Sequence, residues 1–397
     1  MMKEGPSREV PRRSPMKKTI AICSALVLAA VIAAVPPKAQ GKQEKPVDTS
    51  KDVQSAHTGL DEGAAKALPI QHEHHGFMQE GMHHAVAKGV TLDAKVDAAA
   101  HTVTLRVGPM NLPAHTDHMK MPQPPDLVWE VPMEGWLLAY HPRLVDANGG
   151  AVPGTVLHHV AFWNENRADF LCLNKEEHIF GAGSEMTDWA EVPGYGYRVM
   201  KGNKIRIETM MYNPTATSYD KAYLEVVMPF QEASGDASAA TSRGNIYPAW
   251  MDVTSCGKSG YDLPAGKSEK TGTVTVKYDG ALLGVGGHLH DYGKQIVLQD
   301  VTRKETVATL DATADAQGHL ESVPVKLFVQ QGGYKFAAND VLKISATYDN
   351  PTGKLLRDGA MGIAVGYFVP ADDAKMAALR RAAKPSHDMS SMSHDHQ

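Results

Sequence analysis

The stretch Ala281–His290, ALLGVGGHLH, lies between two turn-forming groups, Asp279-Gly280 and Asp291-Tyr292-Gly293. A short apolar run bracketed by such residues suits a β-strand better than a helix. On a strand, residues two apart share a face, so His288 and His290 project together while Leu289 points away. Two converging imidazoles suit a metal ion. An isolated His-x-His is more often a surface or hydrogen-bonded pair, so its weight depends on the rest of the chain.

The same texture extends in both directions. From Val90 onward VTLDAKV, HTVTLRV, LVWEV, GWLLAYH, TVLHHVAFW, KIRIETMMY and KAYLEVVM are short alternating runs divided by Gly, Pro, Asn and Asp. A Ser/Ala/Gly-rich segment follows, and the pattern resumes with TGTVTVKY, QIVLQDV, VPVKLFV, VLKISATY and MGIAVGYFV. This patterning predicts an all-β chain of two tandem antiparallel β-sandwich (jelly-roll-like) domains, 90–230 and 246–371, joined by a linker at 231–245. Residues 41–89 read as a flexible His-rich arm, and 372–397 as a short helix followed by a His/Met tail.

Composition narrows the chemistry. The chain has 397 residues and a formal charge of −5, with 19 histidines and 19 methionines against 3 cysteines. No basic stripe suggests a nucleic-acid partner. Imidazole and thioether chemistry is favoured over zinc–thiolate sites. There is no HExxH and no GxSxG, which excludes the common zinc-protease and serine-hydrolase signatures.

Residues 1–40 read as a signal peptide. Met16-Lys17-Lys18 is basic, and Thr19–Val35 (TIAICSALVLAAVIAAV) is apolar and ends in small residues. The expectation is an exported protein, periplasmic or secreted, with no membrane segment beyond the signal. Cys23 lies in the signal. Cys172 and Cys256 could pair in an oxidising compartment, but spacing does not decide it.

Three further groups carry metal-binding side chains. His158-His159 lies in a strand-like run, where adjacent side chains diverge unless the strand is bulged or ends there. Met361 opens the last strand, a position where methionine is usually core packing. His72, His74, His75, His83 and His84 cluster in the arm, His115 and His118 follow, and His387, His394 and His396 lie in the tail. Such flexible His/Met segments can capture copper without a preformed site.

From about Met121 to Val369, the order His-His-Val, His-x-His, Met resembles the copper type II, ascorbate-dependent monooxygenases. This is the family of peptidylglycine α-hydroxylating monooxygenase and dopamine β-monooxygenase. Gly194-Tyr195-Gly196-Tyr197-Arg198-Val199 is similar to the GxGFRV segment of that family, and Leu263-Pro264-Ala265-Gly266 to its PPG-type turn. The resemblance implies two β-sandwich domains that each hold one of two copper ions. His288, His290 and Met361 would form the catalytic site for dioxygen and C–H attack, where a soft sulfur favours cuprous copper. His158 and His159 would hold the electron-transfer copper. Where the family takes a third histidine, the alignment on Gly202-Asn203-Lys204 and Tyr212 places Met211.

The substrate differs from the family's peptide. Gly286 replaces the arginine that pairs with a peptide carboxylate, and Ile363 and Val365 replace polar neighbours of the substrate, so a peptidylglycine is excluded. Two functions emerge. One is a copper monooxygenase acting on a small molecule with dioxygen and an external reductant such as ascorbate. The other is a copper-sequestering or copper-delivery protein on the same scaffold. The complete His288/His290/Met361 set favours the enzyme.

Overall fold

A computed structural model describes residues 85–186, 188–233 and 243–381. The signal segment, the His72–His84 cluster, the middle of the 231–245 linker and the tail beyond 381 lie outside the described residues. What remains is all-β, with no α-helix among the described residues; the stretch read as a terminal helix forms a 3-10 helix at Asp373–Leu379.

The longest sheet runs through both halves of the chain. Its path passes from Thr91–Asp97 and Thr102–Leu112 through Tyr219–Glu232, Gly135–Leu137 and Tyr195–Val199, then into Gly244–Asp252, Gly362–Pro370 and Gly280–Leu289. The crossing point is a parallel pairing of Gly244–Ile246 with Tyr195–Tyr197. Two four-stranded sheets pack beside it. In the first, Lys204–Met211 lies between Leu127–Glu130 and Leu157–Ala168, with Glu176–Gly183 outside. In the second, Val341–Asn350 lies between Gly266–Thr275 and Gly293–Asp300, with Glu305–Asp311 outside.

Alternation explains the strands with one wet face. Thr102–Leu112 buries Val103, Leu105 and Val107 and leaves the residues between them partly open. Gly280–Leu289 is different, because it is buried on both faces and therefore reads as a nearly continuous apolar run. Its glycines admit close neighbours: a Cβ on Gly287 would stand 2.5 Å from Ile296 Cδ1.

Two hydrophobic clusters result, and each draws on both sides of the linker. Phe162, Tyr197 and Ile207 pack with Met361, Ile363 and Tyr367 in one; Phe170 and Leu171 pack with Phe368, Leu282 and Ile344 in the other. Each large side chain buried this way contributes on the order of 2–3 kcal/mol.

Cys172 and Cys256 form a disulfide, with Cα atoms 5.7 Å apart and a sequence separation of 84. It ties the loop after Leu157–Ala168 to the loop after Gly244–Asp252. Opening a bridge that closes so long a loop is expected to cost about 2–4 kcal/mol, through the freedom it returns to the unfolded chain. Denaturant titration of Cys172→Ala measures this, and an unchanged midpoint would show that the packing alone fixes the two loops.

Candidate metal centre

His159 and His158 owe their shared position to a β-bulge. Met210 pairs with His159 and Met211 with Leu157, so His158 is an extra residue with no partner on the neighbouring strand. A bulge of this kind places two consecutive side chains on one side of the strand. The imidazoles meet as a result, with Nδ1 of His158 3.0 Å from Nδ1 of His159.

The bulge also sorts the two methionines. Ile205, Ile207 and Met211 point into the first hydrophobic cluster with Leu157, Val160 and Phe162. Met210 pairs with His159 and therefore lies on the histidine face. Met211 is fully buried on the core side, and the structure does not bring it to the imidazoles.

The second pair arrives on the neighbouring sheet. His288 is opposite Ile363 and Leu289 opposite Gly362; one step further, the register sets His290 beside Met361. A single phenol secures that juncture. The Tyr348 hydroxyl accepts the N–H of His290 at 2.9 Å and of Met361 at 3.1 Å, and donates to the Met361 carbonyl. Met361 is 2 % exposed. The two histidine pairs then converge, with the His158 and His290 rings 5.1 Å apart and the His288 and His290 rings 5.4 Å apart. His118 joins them, its ring 4.8 Å from that of His158.

Glu185 positions His288. Its Oε1 lies 2.9 Å from His288 Nδ1, and the Gly183 N–H donates to the same oxygen at 3.0 Å. Burial acts to raise the Glu185 carboxyl, but the His288 imidazole and the backbone donors outweigh it and hold the group below its usual range. A carboxylate on Nδ1 keeps that proton in place and leaves Nε2 as the lone-pair nitrogen. Glycine at position 183 leaves room for the pair, because a Cβ there would stand 2.6 Å from Glu185 Oε2 and 2.7 Å from His288 Cε1 and one of them would have to shift. Glu185→Gln is expected to weaken metal binding at His288 by about 10–100-fold while leaving the fold intact. Equilibrium dialysis against a competing chelator reads this, and an unchanged affinity would exclude the orienting role.

Electrostatics keep three of these imidazoles neutral. Burial first, and then the neighbouring imidazoles, push His158, His159 and His290 well below the ordinary histidine range. Neutral imidazoles are metal ligands, whereas imidazolium is not. The Nε2 atoms of His288 and His290 are buried and make no hydrogen bond. A soft or borderline cation suits these nitrogens, and copper fits the set of imidazoles and thioether. No three His, Cys, Asp or Glu side chains among the described residues surround one point at metal-bonding distance. The donors are gathered, with their rings packed edge to face.

A cleft with about 360 Å³ of open space adjoins His159 and His288. Its walls are Trp189, Trp250, Ile363 and Val365, with His178 and Glu185 the other polar groups. His178 is pressed between Trp163 and Trp250, with ring centroids 4.0 and 3.4 Å away. No lysine or arginine lines the cleft.

Of the residues singled out from the sequence, the structure gathers the rings of His158, His159, His288 and His290; Glu185, Tyr348 and the Trp163–His178–Trp250 stack were not among those singled out. His118 was grouped with the flexible segments. Its neighbour Asp117, which caps the turn His118–Lys120, was the one local sign of fixed structure.

No family model matches the chain. Two curated proteins are similar to it. One is named "Probable copper-dependent oxygenase M1", from Phoma sp. (strain ATCC 20986 / MF5453), 25 % identical over 241 residues, or 54 % of this chain and 58 % of that protein. The other is named "Probable copper-dependent oxygenase clz3", from Cochliobolus lunatus, 25 % identical over 239 residues, or 54 % of this chain and 72 % of that protein. The matched region therefore spans less than two thirds of the first relative's length.

Proposed function

We propose that the protein is an exported copper monooxygenase that hydroxylates a C–H bond of a small, apolar molecule. The observation that carries the reading is the convergence of His158 and His159 with His288 and His290, two pairs distant in sequence whose rings approach to 5.1 Å. The similarity to proteins named copper-dependent oxygenases supports it. The disulfide and the signal-like segment support export.

His288, His290 and Met361 would hold one copper, and His158 and His159 the other, each in one of two β-sandwich halves. Copper supplies the one-electron chemistry that lets dioxygen attack a C–H bond. In balance, R–H and O2 with two electrons and two protons give R–OH and water, the electrons coming from a reductant such as ascorbate. The chain's own contribution is placement. Glu185 holds the His288 proton on Nδ1, Tyr348 fixes the His290 backbone beside Met361, and the indoles of Trp189 and Trp250 offer apolar walls to the substrate. A cleft without a cation does not select a carboxylate.

Elemental copper counting combined with oxygen-electrode measurements tests the reading. The expected result is two coppers per chain and reductant-dependent oxygen uptake that rises with a small apolar substrate. A copper-loaded protein that consumes no oxygen above free copper across a broad substrate panel would overturn it.

The His/Met segments favour a second reading, copper sequestration or delivery. Under it, deleting Ser386–Gln397 and the His72–His84 cluster removes most copper capacity; under the enzyme reading the two tight ions persist.

A further inference from the structure

We infer that Trp189 is the end wall of the cleft beside His288 and sets the length of the apolar molecule that the cleft accepts. The inference rests on the reading above in one respect, that this cleft is the substrate site, and it adds the residue that selects among substrates.

The sheet lays out the cleft. Trp250 lies opposite Val365, and Val365 opposite Gly286, on three neighbouring strands, so the three positions form a row on one face. Trp250 and Val365 line the cleft, whereas at Gly286 the row has no side chain. The Trp189 indole fills that place. A Cβ on Gly286 would stand 3.1 Å from Trp189 Cη2 and 3.1 Å from Val325 Cγ2, so the edge of the indole and a valine methyl meet over the glycine backbone. Trp189 lines the cleft and Val325 does not, which puts the indole between them. From Trp250 to Gly286 is two strand spacings, roughly 10 Å. Val365 is the floor between these two limits.

Behind the indole the same face continues as apolar surface. Leu327 lies opposite Gly284, and Val325, two residues back on its strand, stands beside Gly286. Val325 is 38 % exposed and Leu327 55 %. Trp189, itself buried, thus separates an enclosed apolar space from an open one.

The wall is fixed at three points. The Trp189 backbone exchanges two hydrogen bonds of 3.0 Å with Tyr140, and its ring meets that of Tyr367 edge-on at 5.1 Å. Next to it in sequence, Asp188 Oδ1 lies 2.6 Å from His141 Nδ1. A molecule that reaches past Val365 therefore meets a held indole rather than solvent. With no lysine or arginine in the cleft, the substrate class is short, uncharged and apolar.

The test uses the full chain, copper-loaded and metal-free, with straight-chain primary alcohols from butanol to decanol as probes. Calorimetric titration of the parent is expected to show affinity rising about 4-fold per methylene and then levelling off within the series, where the chain meets the indole. Trp189→Ala should extend the rise by about two methylenes, a gain of roughly 10-fold or more for the longest alcohols. Trp189→Leu keeps more of the packing and should extend it by less, which serves if the alanine variant does not fold. Leu327→Gln, at an exposed position, should leave the parent unchanged and remove part of the gain in either Trp189 variant. A purely structural role for Trp189 predicts variants that are less stable but keep the parent's dependence on chain length. That result overturns the inference, as does a parent whose affinity rises without a break to decanol; the copper reading, judged by metal count and oxygen uptake, stands in both cases. A break that moves with Trp189 in a copper-loaded protein that consumes no oxygen upholds the inference and sinks the enzyme reading. If neither parent nor variants bind any alcohol, the cleft is no apolar site, and the inference falls.

Discussion

Copper-loaded His290→Ala protein is expected to show no reductant-dependent oxygen consumption above that of free copper, against sustained uptake by the parent. The His290 ring packs against those of His158 and His288, and its backbone is held by the Tyr348 hydroxyl at the N–H and by the Gly293 N–H at the carbonyl. Removing the imidazole takes away one of two nitrogen ligands at the site assigned to dioxygen. The His158/His159 site should keep its copper. The readout is therefore an oxygen trace that goes flat while elemental copper falls from two per chain to one. Uptake persisting at more than a few per cent of the parent rate would move the oxygen chemistry away from His288, His290 and Met361.

Acid should unfold the metal-free protein steeply. His158, His159, His178 and His290 are held well below the ordinary value of 6.5, chiefly by burial. In the unfolded chain these four take up protons as the pH falls through 6.5, while in the folded chain they do not, so stability drops over that interval. Two buried carboxyls work in the opposite sense. Burial pushes Glu177 up to about 7 and Asp169 up to about 6, so the folded state holds their protons where the unfolded state releases them. Four groups against two leave a net of two protons, or about 3 kcal/mol per pH unit at most below pH 6. Urea titrations of metal-free protein at pH 7 and pH 5 measure this, and equal midpoints would show that these imidazoles are hydrated. Bound copper, which requires neutral imidazoles, should oppose the acid loss near neutral pH.

Much of this site could be read in the sequence because strand periodicity is local. His288 and His290 share a face for the same reason that Leu289 does not, and no long-range information is needed. For His158 and His159 the sequence stated a condition, a bulge, without showing that it is met; the pairing of Met210 and Met211 across the sheet decides it. That pairing also separates two adjacent methionines of equal hydrophobicity, which no reading of the single strand could rank. Glu185 and Tyr348 act on residues 103 and 58 positions away in sequence, so their roles exist only once the sheets are packed. The same holds for the core. Met361, Ile363 and Tyr367 pack with Phe162 and Tyr197 from the other side of the linker, although linker composition suggested separate cores.

The extra residue at position 158 changes the parity of its strand. On one side of it Leu157 lies opposite Met211, where the pairing ends; on the other His159 lies opposite Met210, and the ladder is regular from there to Asn164 and Ile205. Parity of this kind can be switched by a single codon. Deleting residue 158 would rejoin the ladder in phase, sparing the core contacts of Leu157 and Val160, and would take the pair of metal-binding nitrogens down to one. Inserting a residue in Lys204–Met211 opposite it would restore strict alternation and send the two imidazoles to opposite faces. A lineage could therefore gain or lose this centre through length changes of one residue, with the surrounding sheet preserved and few side-chain substitutions to mark the event.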